Sequence, residues 1–251
     1  MTQINNLDDI VRNGLCIGCG LCQSISGKDC IEISMSPKGR LEPKEVKKIC
    51  DDIGLSICAT HEPNEEIINN TETVIEKLNT LNCTYTALPY PKNMNFLDLN
   101  VLDKFIEDIN IAGSKFHAEG KVLCYHNHAL EFQKVHNELI LDRIYENTNS
   151  KFIQGEPDIY WIQKGGQDPL MWCKKLEQRM PLLHLKDFIM INDQESFFAE
   201  VGLGNLDIKN IVKTATDSGC KWFIVEQDEC SGDPFNSIEI SYNNLRKYAV
   251  T

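Results

Sequence analysis

A run of side chains that can bind a metal ion follows the short apolar segment at residues 122–124. This run, YHNHALEF at residues 125–132, contains His126, His128 and Glu131. Imidazole nitrogens and carboxylate oxygens are common ligands of divalent cations, and together they suit Mn²⁺, Mg²⁺ or a related ion. The segment therefore predicts a metal site at the end of a buried strand.

Three later segments repeat this arrangement of an apolar strand followed by a polar donor. They bring Asp158, His184 and Glu226 to the ends of predicted strands. Metal-dependent α/β barrels build their sites at the carboxyl ends of their strands. The sequence thus predicts one divalent ion bound by Glu131, Asp158, His184 and Glu226, with His126 or His128 as the alternative to Glu131.

The elements that must position these residues alternate between strand and helix patterns, as in a parallel α/β barrel. The predicted strands are 55–60, 85–88, 121–125, 151–158, 182–185 and 222–226, and the predicted helices are 65–81, 96–112, 168–177, 208–217 and 234–248. Gly202-Leu203-Gly204 lacks the setting of a dinucleotide-binding loop and is predicted to be a turn.

Several short motifs give these elements a family resemblance. They are Thr60-His61, residues 125–132, Asp158-Ile159-Tyr160-Trp161, residues 166–169, His184-Leu185-Lys186-Asp187, residues 201–204 and Val225-Glu226-Gln227-Asp228. In this order the chain resembles the sugar phosphate isomerase/epimerase family, whose members have the xylose isomerase-like TIM barrel. The resemblance covers residues 49–251.

The resemblance implies a metal-dependent isomerase or epimerase acting on a keto-sugar or inosose, in which Glu131 and Glu226 transfer a proton next to a metal-bound carbonyl. The implied substrate-binding residues are His61, His126, His128, Trp161 and Lys186. Two of these have a plainer alternative, since Trp161 could be a core residue and Lys186 a surface lysine.

The first 48 residues are predicted to form a separate Cys-rich segment. Cys16, Cys19 and Cys22 have the spacing of a ferredoxin-type [4Fe–4S] site, with Cys30 or Cys50 as the fourth ligand. The segment resembles the amino terminus of the β-subunit of deazaflavin-coenzyme-reducing hydrogenases and dehydrogenases. The alternative is a remnant that binds nothing stably, or binds only Zn²⁺.

Residues 30–34 and 39–42 are predicted to be an antiparallel hairpin within this segment, so the first 50 residues would supply no barrel strand. The strand that carries Thr60-His61 is normally the third of the family. Two strand–helix units are then predicted to be missing, and the exposed edges would be covered by this segment or by a second subunit in a homo-oligomer.

The incomplete barrel leaves two other hypotheses open. One is an inactive or electron-transfer fusion protein. The other is a metal-dependent hydrolase of the endonuclease IV type, which is less favoured because its trinuclear zinc site needs more His and Asp ligands.

Composition narrows the choice of partners and compartment. The 25 Lys and Arg against 37 Asp and Glu give a net charge of −12, which argues against nucleic acid and anionic lipid as partners. The 11 cysteines are an odd number, which fits a reducing cytoplasm better than a complete disulfide framework. No apolar run approaches the roughly 18 residues of a membrane span, and the polar start is unlike a secretory signal.

Overall fold

The computed structural model describes residues 30–34, 41–89, 91 and 94–247. Parallel strands in chain order form the wall of a barrel. The barrel strands are β1 (Cys30–Ser34), β2 (Ser56–His61), β3 (Tyr85–Leu88), β4 (Val122–His126), β7 (Ile153–Glu156), β8 (Leu182–Leu185) and β11 (Trp222–Val225). The sheet order is β1-β2-β3-β4-β7, and β8 pairs in parallel with β11. A parallel bridge between Asp158 and His184 joins the two groups, giving seven parallel barrel strands among the described residues.

The strand β1 corrects the prediction for the first 50 residues. It pairs in parallel with β2, from Cys30 opposite Ser56 to Ser34 opposite His61, so the predicted antiparallel hairpin is wrong. Residues 41–42, expected to lie in the second hairpin strand, instead lead into α1 (Pro43–Asp52). Residues 30–52 therefore supply one of the two strand–helix units that were predicted to be missing.

Local chemistry explains why α1 begins where it does. Pro43 occupies the first helical turn, where its missing N–H costs nothing. Glu42 and Glu45 form a reciprocal capping box, in which the Glu42 amide donates to the Glu45 carboxylate at 3.0 Å. This helix crosses the predicted boundary between residues 48 and 49. The division into two domains stays a prediction for residues 1–29, which lie outside the described residues.

Most of the other helices lie where the sequence predicts them, with shifted ends, whereas those at Ile140–Glu146 and Ile159–Lys164 were not predicted. The other helices are α2 (Asn64–Asn69), α3 (Thr71–Leu81), α4 (Leu99–Ala118), α5 (Ile140–Glu146), α6 (Ile159–Lys164), α7 (Pro169–Lys175), α8 (Ile208–Asp217) and α9 (Pro234–Leu245). The predicted helix 65–81 is two helices, because Asn70 adopts φ −128° and ψ 39°. The helix expected from residue 96 begins at Leu99, because Asp98 caps it by accepting from the Asn100 amide at 2.9 Å.

Two short hairpins were not predicted. Strands β5 (Lys134–Val135) and β6 (Glu138–Leu139) enclose a tight turn, in which His136 and Asn137 have positive φ. Strands β9 (Asp187–Met190) and β10 (Ser196–Ala199) form an antiparallel ribbon that follows β8 directly.

Successive side chains of a strand point to opposite faces, so the strands contribute to two separate hydrophobic cores. The larger core packs the outward side chains of the strands, among them Ile31, Ile33 and Tyr125, against the helices. A smaller cluster of Cys30, Cys58, Ala59, Ala87, Cys124, Leu182 and Ile224 fills part of the barrel interior with mainly small side chains. Among the described residues, no helix combines the length and the apolar character that crossing a bilayer requires.

Candidate metal centre

Four strands of the barrel wall, β2, β4, β7 and β8, each carry a residue that can bind a metal. His61, His126 and Glu156 are the last residues of β2, β4 and β7, and His184 lies within β8. Register brings them close, since His126 lies directly opposite Glu156 in neighbouring strands. One donor atom from each of these four residues lies within 4.8 Å of the others.

A second group of four donors overlaps the first. His126, Asp158, His184 and Glu226 also offer one atom each within 4.8 Å of one another. His126 and His184 belong to both groups. His184 Nδ1 lies 2.9 Å from Glu226 Oε2, and its Nε2 lies 2.7 Å from Glu32 Oε2, a carboxylate outside both groups. Every one of these carboxylates and imidazoles is buried or nearly so.

The structure therefore brings together three of the four predicted ligands. Asp158, His184 and Glu226 share one group, whereas Glu131 belongs to neither group. Glu131 lies in a short 3₁₀ helix and accepts from the Tyr125 hydroxyl and the His128 amide, both at 3.0 Å. Because Tyr125 points outward from β4, its partner Glu131 lies on the outer side of the strand, and His126 completes the group instead.

The comparisons with known proteins agree with this architecture. Residues 21–248 match the model of the xylose isomerase-like TIM barrel family. The chain belongs to this family. The match covers most of the chain and confirms the predicted fold. No curated protein matches the chain by sequence.

Solved structures of the xylose isomerase-like fold superpose on most of the chain. A sugar phosphate isomerase/epimerase from Parabacteroides distasonis has a TM-score of 0.73 at 23% identity, over 88% of this chain and 85% of that one. A xylose isomerase-like TIM barrel protein from Mycobacterium smegmatis, in complex with magnesium, has a TM-score of 0.69 at 12% identity, over 89% and 86%. A D-tagatose 3-epimerase-like protein has a TM-score of 0.65 at 16% identity, over 87% of each chain.

Charge pairing sets the protonation of this xylose isomerase-like site. Burial opposes ionisation of Glu156 and Glu226, but neighbouring cations hold the pKa of each carboxyl well below its usual range. For Glu156 these cations are His61 and His184, and for Glu226 they are Lys186 and His184. Burial lowers the pKa of His61, yet Glu32 and Glu156 raise it to about 9.

The pKa values of two other histidines in this region, His126 and His128, are lowered instead of raised. Burial and the proximity of His184 hold the pKa of His126 well below its usual range. Burial and Lys186 lower the pKa of His128 to about 4. Both imidazoles are therefore neutral at pH 7, which is the state in which a histidine binds a metal or accepts a proton.

Lys186 is buried, not a surface lysine. Its ammonium lies 2.9 Å from Glu226 Oε2, 3.1 Å from both oxygens of Asp228 and 3.3 Å from Asp158 Oδ2. It also lies 5.3 Å from the centroid of the Trp161 ring. Lys186 thus neutralises part of the carboxylate charge beside the second donor group.

A cavity of about 500 Å³ opens onto the donors. It is lined by Ser34, His61, Glu62, Pro63, Asn64, Glu65, Pro89, His126, His128, Lys186, Glu226 and Asp228. Four of the five predicted substrate-binding residues are in this lining. Trp161 is the exception; its ring lies 5.1 Å from that of His128.

Two functional candidates, Glu32 and Glu156, were missed in the sequence. Glu156 precedes Asp158 by two residues, so strand alternation places both on one face, and this parity is a signal that could have found it. Glu32 shares the inward parity of Cys30, but assigning its segment to a separate hairpin hid that relation.

The predicted iron–sulfur ligands have no shared site in the described structure. Cys16, Cys19 and Cys22 lie outside the described residues. Cys30 and Cys50 are both fully buried, Cys30 in the interior cluster and Cys50, a residue of α1, in the outer core. The cluster stays a prediction.

Proposed function

We propose that this chain is a sugar isomerase or epimerase in which Glu226 transfers a proton at a carbon next to a carbonyl. One divalent cation would be held beside it by Asp158, His184 and Glu226. The observation that carries the proposal is the meeting of these three donors, of which Glu226 lines a substrate-sized cavity. The family membership and the structural relatives named for sugar isomerisation or epimerisation add support.

The residues present fit a divalent cation. Asp158 is fully buried, and its Oδ2 makes no hydrogen bond within the described residues, although Lys186 lies 3.3 Å away. Such an atom is costly to bury unless a cation or donor satisfies it. Two carboxylates with one imidazole suit Mn²⁺ or Mg²⁺. When bound, the cation would polarise a carbonyl and stabilise negative charge on the substrate oxygens.

Glu226 is suited to accept the proton. Lys186 and His184 keep its carboxyl ionised despite burial, and it lies in the cavity wall. A base held within hydrogen-bond reach of a carbon acid can act without being strong. Lys186 keeps its own proton, because Asp158 and Glu226 raise its pKa against the effect of burial. Its ammonium would bind a substrate hydroxyl or oxyanion.

The position of Glu131 alters the predicted mechanism. With its carboxylate bound to Tyr125 and His128, Glu131 is not available as the second base of a pair with Glu226. Glu226 alone would suffice for aldose–ketose isomerisation, in which one base moves a proton between neighbouring carbons. Epimerisation needs a second carrier on the opposite face. His126 and His128 are both neutral and line the cavity, and His128 suits this role because it belongs to neither donor group.

The test is deuterium wash-in over a panel of keto-sugars, their phosphates and inososes, together with metal analysis of the purified protein. We expect at least one substrate to acquire deuterium next to its carbonyl, and a chelator to abolish this exchange. Absence of exchange with every member of the panel, despite bound metal, would contradict the proposal and favour the inactive-fusion hypothesis.

A further inference from the structure

We propose that a second copy of this chain binds to the antiparallel ribbon of β9 and β10. The two ribbons pair edge to edge through their β10 strands (Ser196–Ala199), about a two-fold axis, and form one four-stranded sheet. The ribbon lies outside both donor groups, so this surface is independent of the proposed metal and reaction.

The ribbon projects from the barrel and exposes apolar side chains. Every residue from 189 to 197 is exposed. Among the described residues, five of the eleven exposed large hydrophobic side chains lie between residues 189 and 203, and Phe197 has the largest exposed fraction, 57%. A concentration of exposed apolar side chains commonly marks a protein–protein interface. The five are Ile189, Met190, Ile191, Phe197 and Leu203.

The two faces of the ribbon have different surroundings. Phe188 and Phe198 lie opposite each other and pack on Tyr160, with ring centroids 5.4 Å and 5.0 Å from the Tyr160 ring. Ile189 and Phe197 form the next cross-strand pair, and alternation places them on the other face. Both are exposed, so the described residues leave this second face uncovered.

The hydrogen bonds of the ribbon show which backbone groups point outward. The Ile191 amide donates to the Glu195 carbonyl at 2.9 Å, which identifies that pair as a hydrogen-bonded one. At the alternate positions, the N–H and C=O groups of both strands point away from the ribbon. The Phe188 carbonyl accordingly accepts from the Asn205 amide, outside the ribbon, at 2.7 Å.

The corresponding outward groups of β10 belong to Ser196 and Phe198, which lie opposite Met190 and Phe188. Within the described residues, no hydrogen bond satisfies these outward groups. Strand β10 is therefore an open edge, and an open edge with apolar side chains is a template for pairing with another strand.

The sequence of β10 is complementary to itself about a two-fold axis at Phe197. Ser196 then lies opposite the partner's Phe198, so the outward groups of both strands exchange hydrogen bonds. The two Phe197 side chains lie opposite each other, and Ile189 extends the apolar row on each side. A surface that matches itself in this way is what a two-fold dimer requires, which favours a second copy over an unrelated strand.

Charge and composition favour this register over its neighbours. It sets Glu195 opposite the partner's Ala199 and Glu200 opposite the partner's Gln194, so no like charges face each other. Moving the axis to a point between Phe197 and Phe198 would set Glu195 opposite Glu200. Moving the axis by a whole residue would set Phe197 opposite Glu195 or the buried Ala199.

The first experiment measures the mass of the full chain by sedimentation at concentrations from about 1 to 100 µM. We expect a reversible monomer–dimer equilibrium in this range, because the paired edge is small compared with a standard interface. Each copy carries a net charge of −12, so the copies repel each other at long range. Salt screens this repulsion, and the dimer should become more stable as the ionic strength rises.

Two variants target the edge. Phe197→Lys sets like charges opposite each other and should weaken the dimer by at least about tenfold. Ser196→Pro removes an N–H that points away from β9, at the first residue of an edge strand, where proline is tolerated. It should also weaken the dimer and leave the fold intact, as judged by circular dichroism. The matched control is Ile111→Lys on α4, at a side chain that is 53% exposed, and it should dimerise like the parent.

Cross-linking tests the register. Opposite residues of a non-hydrogen-bonded pair have Cα atoms about 4.5 Å apart, which suits a disulfide. Under mild oxidation Phe197→Cys should therefore form a covalent dimer. Ile189→Cys should not exceed the parent, because three strand spacings, about 14 Å, would separate the two thiols.

Three results would overturn the proposal. A monomeric parent at every concentration would leave the edge to an extended segment of a different protein. A dimer that persists in both Phe197→Lys and Ser196→Pro would place the interface elsewhere on the chain. Cross-linking of Ile189→Cys in preference to Phe197→Cys would exclude the edge-to-edge register.

Discussion

Strands β4 and β7 are neighbours in the barrel, yet they use their glutamates differently. Tyr125 lies opposite Gly155, and this pair is on the outer face of the barrel wall. His126 lies opposite Glu156, and this pair is on the inner face. On β7 the inward residue is Glu156 itself. On β4 the glutamate comes later, at Glu131, and its carboxylate binds the outward-facing Tyr125.

The difference shows that a residue joins the site when its side chain lies on the inner face of the barrel, and not because it is close in sequence to other site residues. Glu131 follows the histidine motif closely, but the 3₁₀ helix returns it to the outer face of β4. The outer face has room there because Gly155 has no side chain. A Cβ at Gly155 would lie 3.0 Å from the Tyr145 hydroxyl, which itself donates to the Tyr125 carbonyl at 3.4 Å. The outer face is thus a structural network, and the inner face is the chemical one.

The largest expected effect is on proton exchange. Glu226→Gln should reduce deuterium wash-in by about 10²–10⁴-fold, because the amide cannot accept a proton at neutral pH. Glu131→Gln should reduce it by less than about tenfold, since its carboxylate does not reach the cavity. Initial rates of wash-in for parent and both variants check this. An equal loss in the two variants would place Glu131 in the chemistry after all.

A second difference should appear in the pH dependence of stability of the metal-free protein. The pKa of His61, beside Glu156, is raised from 6.5 to about 9. Its stabilising contribution to the free energy of unfolding is therefore present below pH 6.5 and lost as pH rises through 9. The pKa of His128, beside the Glu131 segment, is lowered to about 4, so its contribution is present above pH 6.5 and lost as pH falls towards 4.

Urea unfolding from pH 4 to pH 9.5 tests these opposite signs. His61→Asn should flatten the decline above pH 6.5, where one such group contributes a slope of up to about 1.4 kcal/mol per pH unit. His184 acts in the same direction, so part of the slope should remain. His128→Asn should flatten only the acidic limb. Two variants with the same profile would contradict the assignment.

Much of the barrel could be predicted from sequence because its elements depend on local signals. Tyr85–Leu88 and Leu182–Leu185 are short apolar runs between breakers, and Ile208–Asp217 has strong helical periodicity. The Gly202–Gly204 turn was also correct; the amides of both glycines donate to the buried Asp187 carboxylate. These features need no knowledge of distant contacts.

The errors arose where the decisive partner is distant in sequence. The strand at Cys30–Ser34 carries a glutamate in its centre, so its pattern suits a half-exposed hairpin as well as a barrel strand. Only its pairing with β2 and the hydrogen bond from His184 to Glu32, 152 residues apart, distinguish the two. The position of Glu131, whose role as a ligand stays a prediction, also depends on which face of β4 carries Tyr125. The alternation of side chains shows which residues of a strand share a face, but not which of the two faces points into the barrel.

The smallest expected effect tests the outer network alone. Tyr125→Phe removes the hydroxyl that donates to Glu131 at 3.0 Å and leaves a buried carboxylate oxygen without that donor. The free energy of unfolding should fall by about 1–3 kcal/mol, while Mn²⁺ binding stays within about threefold of the parent.

Tyr145→Phe is the matched control. Its 3.4 Å bond to the Tyr125 carbonyl is long, so its loss should cost less. Chemical unfolding and metal titration on both variants provide the measurement. A large loss of metal in Tyr125→Phe would mean that the two faces of β4 are coupled, and that Glu131 acts on the site through Tyr125 and His126.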